Sequence, residues 1–197
     1  MIVYACSGNS GKLREFGLAG DSGISVEPLP GLRQIAAPEE HGSTFEENAA
    51  AKALYYSGFS NEIVFADDSG FEVEALGGAP GVYSARYGGP HASDEKNNRL
   101  VLERTEGCAD RRARFVCTIA MARAGKLLAS VRGSVEGQLL RTPRGQNGFG
   151  YDPLFFFPPL KRSFAELRAE EKFAVSHRGQ AIRAMLAWLH THPAAFG

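Results

Sequence analysis

The sequence predicts an α/β domain built on a mixed β-sheet with flanking helices. Two observations in the residues predict it. Short apolar strand-like runs alternate with helical segments along the whole chain, the pattern of a layered α/β fold. One pair of runs, Phe115–Ala122 and Leu127–Leu140, is joined only by Gly125-Lys126, which predicts a long hairpin and hence some antiparallel pairing.

Each element has its own signal. Ile2–Cys6 reads as a buried first strand, and Ser10–Leu18 as a short helix after a glycine-rich turn. Ile24–Glu27 is a second strand. Ahead of ENAAAKALYY, Ser43 with Glu46 or Thr44 with Glu47 makes a capping box, so a helix begins there. Ile63–Ala66 and Phe71–Ala75 read as two strands separated by Asp67-Asp68-Ser69-Gly70, whose residue types favour a turn. A long Gly/Pro loop, LGGAPGVYSARYGGPHAS, precedes a charged helix over about Ser93–Glu106, and so long a loop in a compact domain is often functional. A second glycine-rich loop, RTPRGQNGFGYDP, leads into the apolar strand Leu154–Phe157. Two helical segments end the chain, the last with Ile182, Met185, Leu186 and Leu189 on one face. No repeat or linker divides the sequence, so residues 1–197 read as a single domain.

Composition narrows the function classes. Lys+Arg and Asp+Glu each number 22, so the formal net charge is zero, and a nucleic-acid polymer is not the expected partner. Small anions need only a local cluster of cations and N–H groups. Cys6, Cys108 and Cys117 form no CxxC pair, and their odd number argues against a disulfide framework. The first residues lack a basic segment followed by a long apolar run, and no stretch reaches the ~20 apolar residues of a membrane span. A cytoplasmic protein without membrane partners is the expectation.

Five stretches carry the chemistry. Ser7, Gly8, Asn9, Ser10, Gly11 and Lys12 form a glycine-rich turn from strand to helix, which offers N–H groups and a lysine to phosphate, or is a plain turn. It is neither a P-loop nor a dinucleotide-binding GxGxxG. Asp67 and Asp68 are adjacent, and on extended backbone they would point to opposite faces, one orienting its neighbours while the other enters a cleft. Mg2+ prefers such oxygen ligands, and Glu39 or Glu40 could supply a second carboxylate. Asn48 and Lys52 lie i,i+4 on one helical face, which a solvated polar stripe would equally explain. Phe149, between Gly148 and Gly150 and followed by Tyr151 and Asp152, could present its ring to a planar ligand. Lys172 lies in Glu170-Glu171-Lys172, and behind the N-cap residue Ser176 come His177 and Arg178, cations at a helix N-terminus where the dipole disfavours them, which suggests an anionic or carbonyl-rich partner. No HExxH or GxSxG is present.

In their order, SGNSGKLREF, EEHGSTFEENAAAKA, ADDSGFEVEALGGAPGVYSARYGG, NGFGYDPLF and AELRAEEKFAVSHRGQA resemble the inosine triphosphate pyrophosphatase family. The resemblance runs from Ser7 to Ala181. It implies an elongated mixed β-sheet with two lobes around a central nucleotide-binding cleft, a homodimer, and Mg2+-dependent hydrolysis of ITP, dITP and XTP to the monophosphate and pyrophosphate. Carried over, it puts Ser7–Lys12 on the triphosphate, Asp68 as general base and metal ligand, and Asp67 in support. Glu40 or Glu39 would be the second metal carboxylate, Lys52 a phosphate contact and Ser69 a nucleotide contact. Phe149, Gly150, Tyr151, Asp152, Lys172, His177 and Arg178 would form the base pocket. The chain departs from the family's usual pattern at Cys6 and at Phe173.

Overall fold

The computed structural model describes residues 1–19 and 23–196. A seven-stranded mixed sheet has the order β2-β1-β3-β4-β5-β6-β7. Its strands are β1 (Ile2–Ala5), β2 (Ser25–Pro28), β3 (Ile63–Val73), β4 (Arg112–Arg123), β5 (Lys126–Leu139), β6 (Phe155–Phe157) and β7 (Arg162–Ser163). β1 pairs in parallel with both β2 and β3, whereas β5–β6 and β6–β7 are antiparallel. The helices are α1 (Ser10–Phe16), α2 (Phe45–Tyr56), α3 (Asp94–Arg104), α4 (Ala169–Val175) and α5 (His177–Thr191).

The chain divides into two compact units. Unit 1 comprises Met1–Asp68, Cys117–Gly133 and Arg178–Gly197; unit 2 comprises Ser69–Val116 and Ser134–His177. Unit 1 packs Ala49, Ala53 and Tyr56 of α2 against Val64 and Ala66 of β3 and Ala120 and Ala122 of β4. Unit 2 has an aromatic core in which Phe71, Phe115, Phe155 and Phe164 meet with ring centroids 4.7–6.2 Å apart, the range of favourable edge and offset contacts. Among the described residues no helix is long and apolar enough to cross a membrane. All three cysteines are free, and burial pushes the Cys6 and Cys117 thiols up to about 12.

Helix boundaries follow their sequence signals. Of the two candidate capping boxes, Thr44 with Glu47 is the one formed: Thr44 Oγ1 accepts from the Glu47 amide (3.1 Å), and the Glu47 carboxylate accepts from the Thr44 amide (3.2 Å). Ser93 caps α3 by accepting from the Lys96 amide. Ile182, Met185, Leu186 and Leu189 of α5 are all buried, as their spacing requires.

Two turns differ from expectation. Asp67-Asp68-Ser69-Gly70 is not a turn but the middle of β3, which runs unbroken from Ile63 to Val73. Turn-forming residue types give way because tertiary partners satisfy both carboxylates on extended backbone, as shown below. The hairpin turn is Ala124-Gly125 rather than Gly125-Lys126. Both residues have positive φ (48° and 76°), the requirement of the two-residue turn whose twist matches the strands.

Candidate functional site

In unit 1, the loop after β1 is organised by Asn9. Its Oδ1 accepts from the Lys12 amide (3.1 Å) and caps α1, while its own amide donates to Ser7 Oγ (3.3 Å). The first turn of α1 then carries Lys12 Nζ to 2.9 Å from Asp67 Oδ2. Gly8 sits in this loop with a φ open to any residue, and an added Cβ there would meet nothing within 4 Å.

Asp67 and Asp68 serve separate environments, because successive side chains of a strand leave opposite faces. Asp67 is 3% exposed, with Lys12 on one side, Arg178 Nε at 3.7 Å, and Cys117 Sγ at 3.9 Å. Burial alone would raise its carboxyl, but Lys12, Arg178 and Lys52 together outweigh that and hold it at about 2. Arg178, also buried, forms an ion pair with Glu15 of α1, and these two carboxylates keep the guanidinium firmly charged against the cost of its burial.

Asp68 meets α2. Asn48 Nδ2 donates to its Oδ2 (3.2 Å), and Lys52 Nζ lies 3.1 Å from its Oδ1. The same ammonium reaches Glu40 Oε1 at 2.8 Å, so one lysine joins two carboxylates. The i,i+4 pair Asn48 and Lys52 is therefore no solvated stripe: Asn48 is 2% exposed and the Lys52 side chain 14%. Asn48 itself is anchored, because its Oδ1 accepts from the Gly42 amide (2.8 Å). Burial pushes the Asp68 carboxyl above its ordinary 3.8, and the nearby Glu40 charge adds to this against the pull of Lys52. Burial works to lower Lys52, yet Asp68, Asp67 and Glu40 hold it above its usual range. Glu39 faces elsewhere, with an 83% exposed side chain 2.9 Å from His41.

In unit 2, Phe149 is half-buried between Gly148 and Gly150, whose φ values are +76° and +62°. A Cβ on Gly148 would collide with the Asp152 carboxylate, so that glycine is required by the fold. Asp152 Oδ2 accepts from the Phe149 amide (2.9 Å) and is ion-paired with the buried Lys172. Lys172 Nζ in turn lies 4.7 Å from the Phe149 ring centroid, within cation–π reach. Tyr151 is core: it stacks on Phe71 at 5.0 Å and its hydroxyl donates to the Ser84 carbonyl (2.8 Å). His177 is also buried, stacked on Phe115 at 4.7 Å. Ser69 is half-buried within β3.

The candidate residues thus fall into two groups. Lys12, Glu40, Lys52, Asp67, Asp68 and Arg178 are linked in unit 1; Phe149, Asp152 and Lys172 are linked in unit 2. Arg178, grouped by sequence with the pocket residues, is placed instead with Glu15 and Asp67. Glu15 is the residue that sequence reasoning missed. Its only signal is position, one turn after Lys12 in a helix too short to show a periodic buried face.

Among the described residues no group of three or more His, Cys, Asp or Glu is arranged to hold a metal. Glu40 and Asp68 nonetheless fit Mg2+, which is held by one or two carboxylates and completes its shell with water and phosphate. Burial is the main cause of the raised Asp68 carboxyl and the Glu40 charge adds to it; a divalent cation would relieve that repulsion.

Two lysines and two acidic centres near a glycine-rich strand-to-helix loop have the charge and N–H groups that polyphosphate and a hard cation would require. The model of the Ham1 family matches residues 3–188, and the chain belongs to that family. It is 48% identical over 199 residues to the dITP/XTP pyrophosphatase of Acidobacterium capsulatum, an alignment covering 96% of this chain and 98% of the relative. It is 49% identical to the dITP/XTP pyrophosphatase of Exiguobacterium sp. over 188 residues, covering 95% and 96%. Among solved structures it is similar to a HAM1 protein from Coxiella burnetii (TM-score 0.87, 41% identity, 97% and 99% covered). The Staphylococcus aureus Ham1 protein is comparable (TM-score 0.86, 40% identity, 98% and 100% covered).

Proposed function

We propose that this chain hydrolyses ITP, dITP and XTP to the monophosphate and pyrophosphate, with Mg2+, and so clears non-standard purine nucleotides from the cytoplasmic pool. The observation that carries the reading is the half-buried Lys52, which joins Glu40 and Asp68 in a chain whose relatives are dITP/XTP pyrophosphatases. The likeness to the family, which runs along almost the whole chain, also supports a homodimer and a single domain over residues 1–197.

Water attack on a phosphorus of the triphosphate requires a base, charge neutralisation and alignment. Asp68 is the base. Its anchored neighbours Asn48 and Lys52 fix the carboxylate, and its raised carboxyl brings its basicity nearer neutrality, where proton transfer from water is more effective. Glu40 and Asp68 would hold Mg2+, which when bound supplies positive charge to phosphate oxygens. Glu40 is preferred over Glu39, whose side chain is exposed on His41. Lys12 and Lys52 add two charges for the anion, and Asp67, kept ionised, fixes Lys12 without taking the proton.

The Asn9 cap occupies the Lys12 and Asn9 amides, which leaves phosphate to the amides of Gly8, Ser10 and Gly11. Neither its backbone nor its packing requires glycine at Gly8, and a bare Cα there would admit close approach by the triphosphate. Gly8→Val should therefore keep its melting temperature within a few degrees while KM rises about 10–100-fold, the size expected for disturbing hydrogen bonds to a charged group. An unchanged KM would remove the loop from substrate binding.

The base is held by unit 2 residues. Phe149 offers a stacking face, and Lys172 supplies donors that a 6-oxo purine accepts and the 6-amino group of adenine does not. Ser69 and Gly150 contact the nucleotide on this reading, with His177, Tyr151 and Arg178 as the further residues that the family resemblance assigns to the base. Phe149→Ala should raise KM about 5–100-fold, the range of lost base stacking, with little change in kcat. A KM equal to wild type contradicts the stacking role.

The direct test is pyrophosphate release from ITP or XTP with Mg2+. Release of orthophosphate alone, or equal rates with ATP and GTP, defeats the proposal.

A further inference from the structure

The loop that carries Phe149 raises a mechanical problem. Two glycines with positive φ flank the ring, and glycine is the residue with most backbone freedom to lose. A Cβ on Gly150 would meet nothing within 4 Å, so packing does not fix that glycine. Hydrogen bonds do. The Gly150 amide donates to Asp94 Oδ2 at 2.6 Å, and the Gly150 carbonyl accepts from Asn98 Nδ2 at 3.0 Å. Asp94 and Asn98 are i,i+4 on α3, so they share one face of the helix and meet the two peptide groups on either side of Gly150.

The same helix also holds the preceding loop. Asn97 Oδ1 accepts from the Gly88 amide (2.7 Å) and its Nδ2 donates to the Ala85 carbonyl (3.4 Å). α3 is charged and presents few apolar residues, yet both of its asparagines are buried. Buried amides that bind loop backbone act as brackets, since each unsatisfied peptide group would carry a desolvation cost.

We propose that Asp94 and Asn98 are positioning residues for nucleotide binding: by clamping both peptides of Gly150 they set the direction of the Phe149 ring. The proposal rests on the reading that Phe149 stacks on the substrate. Asp152, on the amide of Phe149 itself, and Lys172, over its ring, complete the fixation from the other side of the residue. Loss of one clamp hydrogen bond lets the ring leave its bound orientation, and the cost appears in binding rather than in the chemical step.

The test compares Asp94→Ala, Asp94→Asn and Asn98→Ala in the wild-type and Phe149→Ala backgrounds. Kd for ITP is read by calorimetry in EDTA, where the Mg2+-dependent reaction does not run, and KM and kcat by pyrophosphate release with Mg2+. Asp94→Ala should weaken Kd and KM about 3–10-fold with kcat within about twofold, the worth of one hydrogen bond. Asp94→Asn removes the same charge from the first turn of α3 but keeps an acceptor oxygen, so it should restore most of the affinity. In the Phe149→Ala background Asp94→Ala should add no further loss, because the clamp then has no ring to orient. Asp94 is exposed, so its variants fold even if Asn98→Ala does not. The clamp is overturned if Asp94→Ala binds ITP as wild type does, if Asp94→Asn is as weak as Asp94→Ala, or if the loss persists without Phe149. Calorimetry reads the clamp without turnover, so failure of the wild-type protein to release pyrophosphate would overturn the activity alone.

Discussion

Asp68→Asn is expected to lower kcat by about 10²–10⁴-fold, the usual contribution of a general base, while the protein still folds. The substitution keeps size and removes the charge. The amide loses one good partner, because Asn48 Nδ2 and Lys52 Nζ both present donors to the native carboxylate. Against that loss, it also ends the repulsion between Asp68 and Glu40 that helps to raise the carboxyl. The two effects oppose each other, so the melting temperature should stay within a few degrees of wild type. Circular dichroism melts and pyrophosphate release measured on the same sample check both halves. Near-normal turnover takes Asp68 out of the mechanism.

A pH profile tests the same assignment independently. The folded carboxyl of Asp68 lies above its ordinary 3.8. Followed by NMR in the metal-free protein, the Asp68 carboxyl should therefore titrate at a higher pH than an unperturbed aspartate, and Glu40→Gln should move it down by removing a neighbouring negative charge. For stability the sign is the reverse of a salt-bridged acid: a raised carboxyl favours the folded state at low pH, and its cost appears as pH rises through 3.8 toward the folded value.

Much of the fold was legible because local and tertiary signals agree. Thr44-x-x-Glu47 is a capping box in both sequence and structure, and β4 is apolar on both faces because neither faces solvent from Phe115 to Ala122. The failure at Asp67-Asp68-Ser69-Gly70 has a definite cause. Turn propensity is a local property, whereas the partners that hold these residues extended come from residues 12, 48, 52 and 178. A single sequence gives no sign of them. The opposed faces of the two aspartates, by contrast, followed from strand geometry alone and are the arrangement found.

At the site, residue types were readable and environments were not. Lys52 and Asn48 could equally have been a solvated stripe, since helical spacing fixes which residues share a face but not what covers it. Tyr151, a pocket candidate by its place in GFGYDP, is instead held in the core by Phe71 and Ser84. Glu39 and Glu40 are distinguished only by their partners, His41 for one and Lys52 for the other.

Glu15→Ala should destabilise the protein by about 3–5 kcal/mol, the cost of stripping one member from a buried ion pair. Four charges are connected in unit 1: Glu15 with Arg178, Arg178 with Asp67, and Asp67 with Lys12. They sum to zero, and Glu15, Arg178 and Asp67 are each under a tenth exposed. Without Glu15 the set carries an uncompensated positive charge, with Arg178 turned toward Asp67 in competition with Lys12. Asp67→Asn should be as damaging, since it leaves Lys12 and Arg178 sharing one neutral oxygen. Two adjacent aspartates therefore answer the same chemical change in opposite ways: at Asp68 activity is lost and the fold survives, at Asp67 the fold itself weakens. Replacing both members, as in Glu15→Leu with Arg178→Met, should recover most of the stability, because removing an entire buried pair spares its desolvation cost. Acid should reproduce part of the effect. Asp67 is held at about 2, below its ordinary 3.8, so its contribution of about 2 kcal/mol is complete above 3.8 and is lost as pH falls toward 2. Urea midpoints of the single and double variants decide the matter: a loss under about 1 kcal/mol for Glu15→Ala, or no recovery in the double variant, refutes a linked buried network.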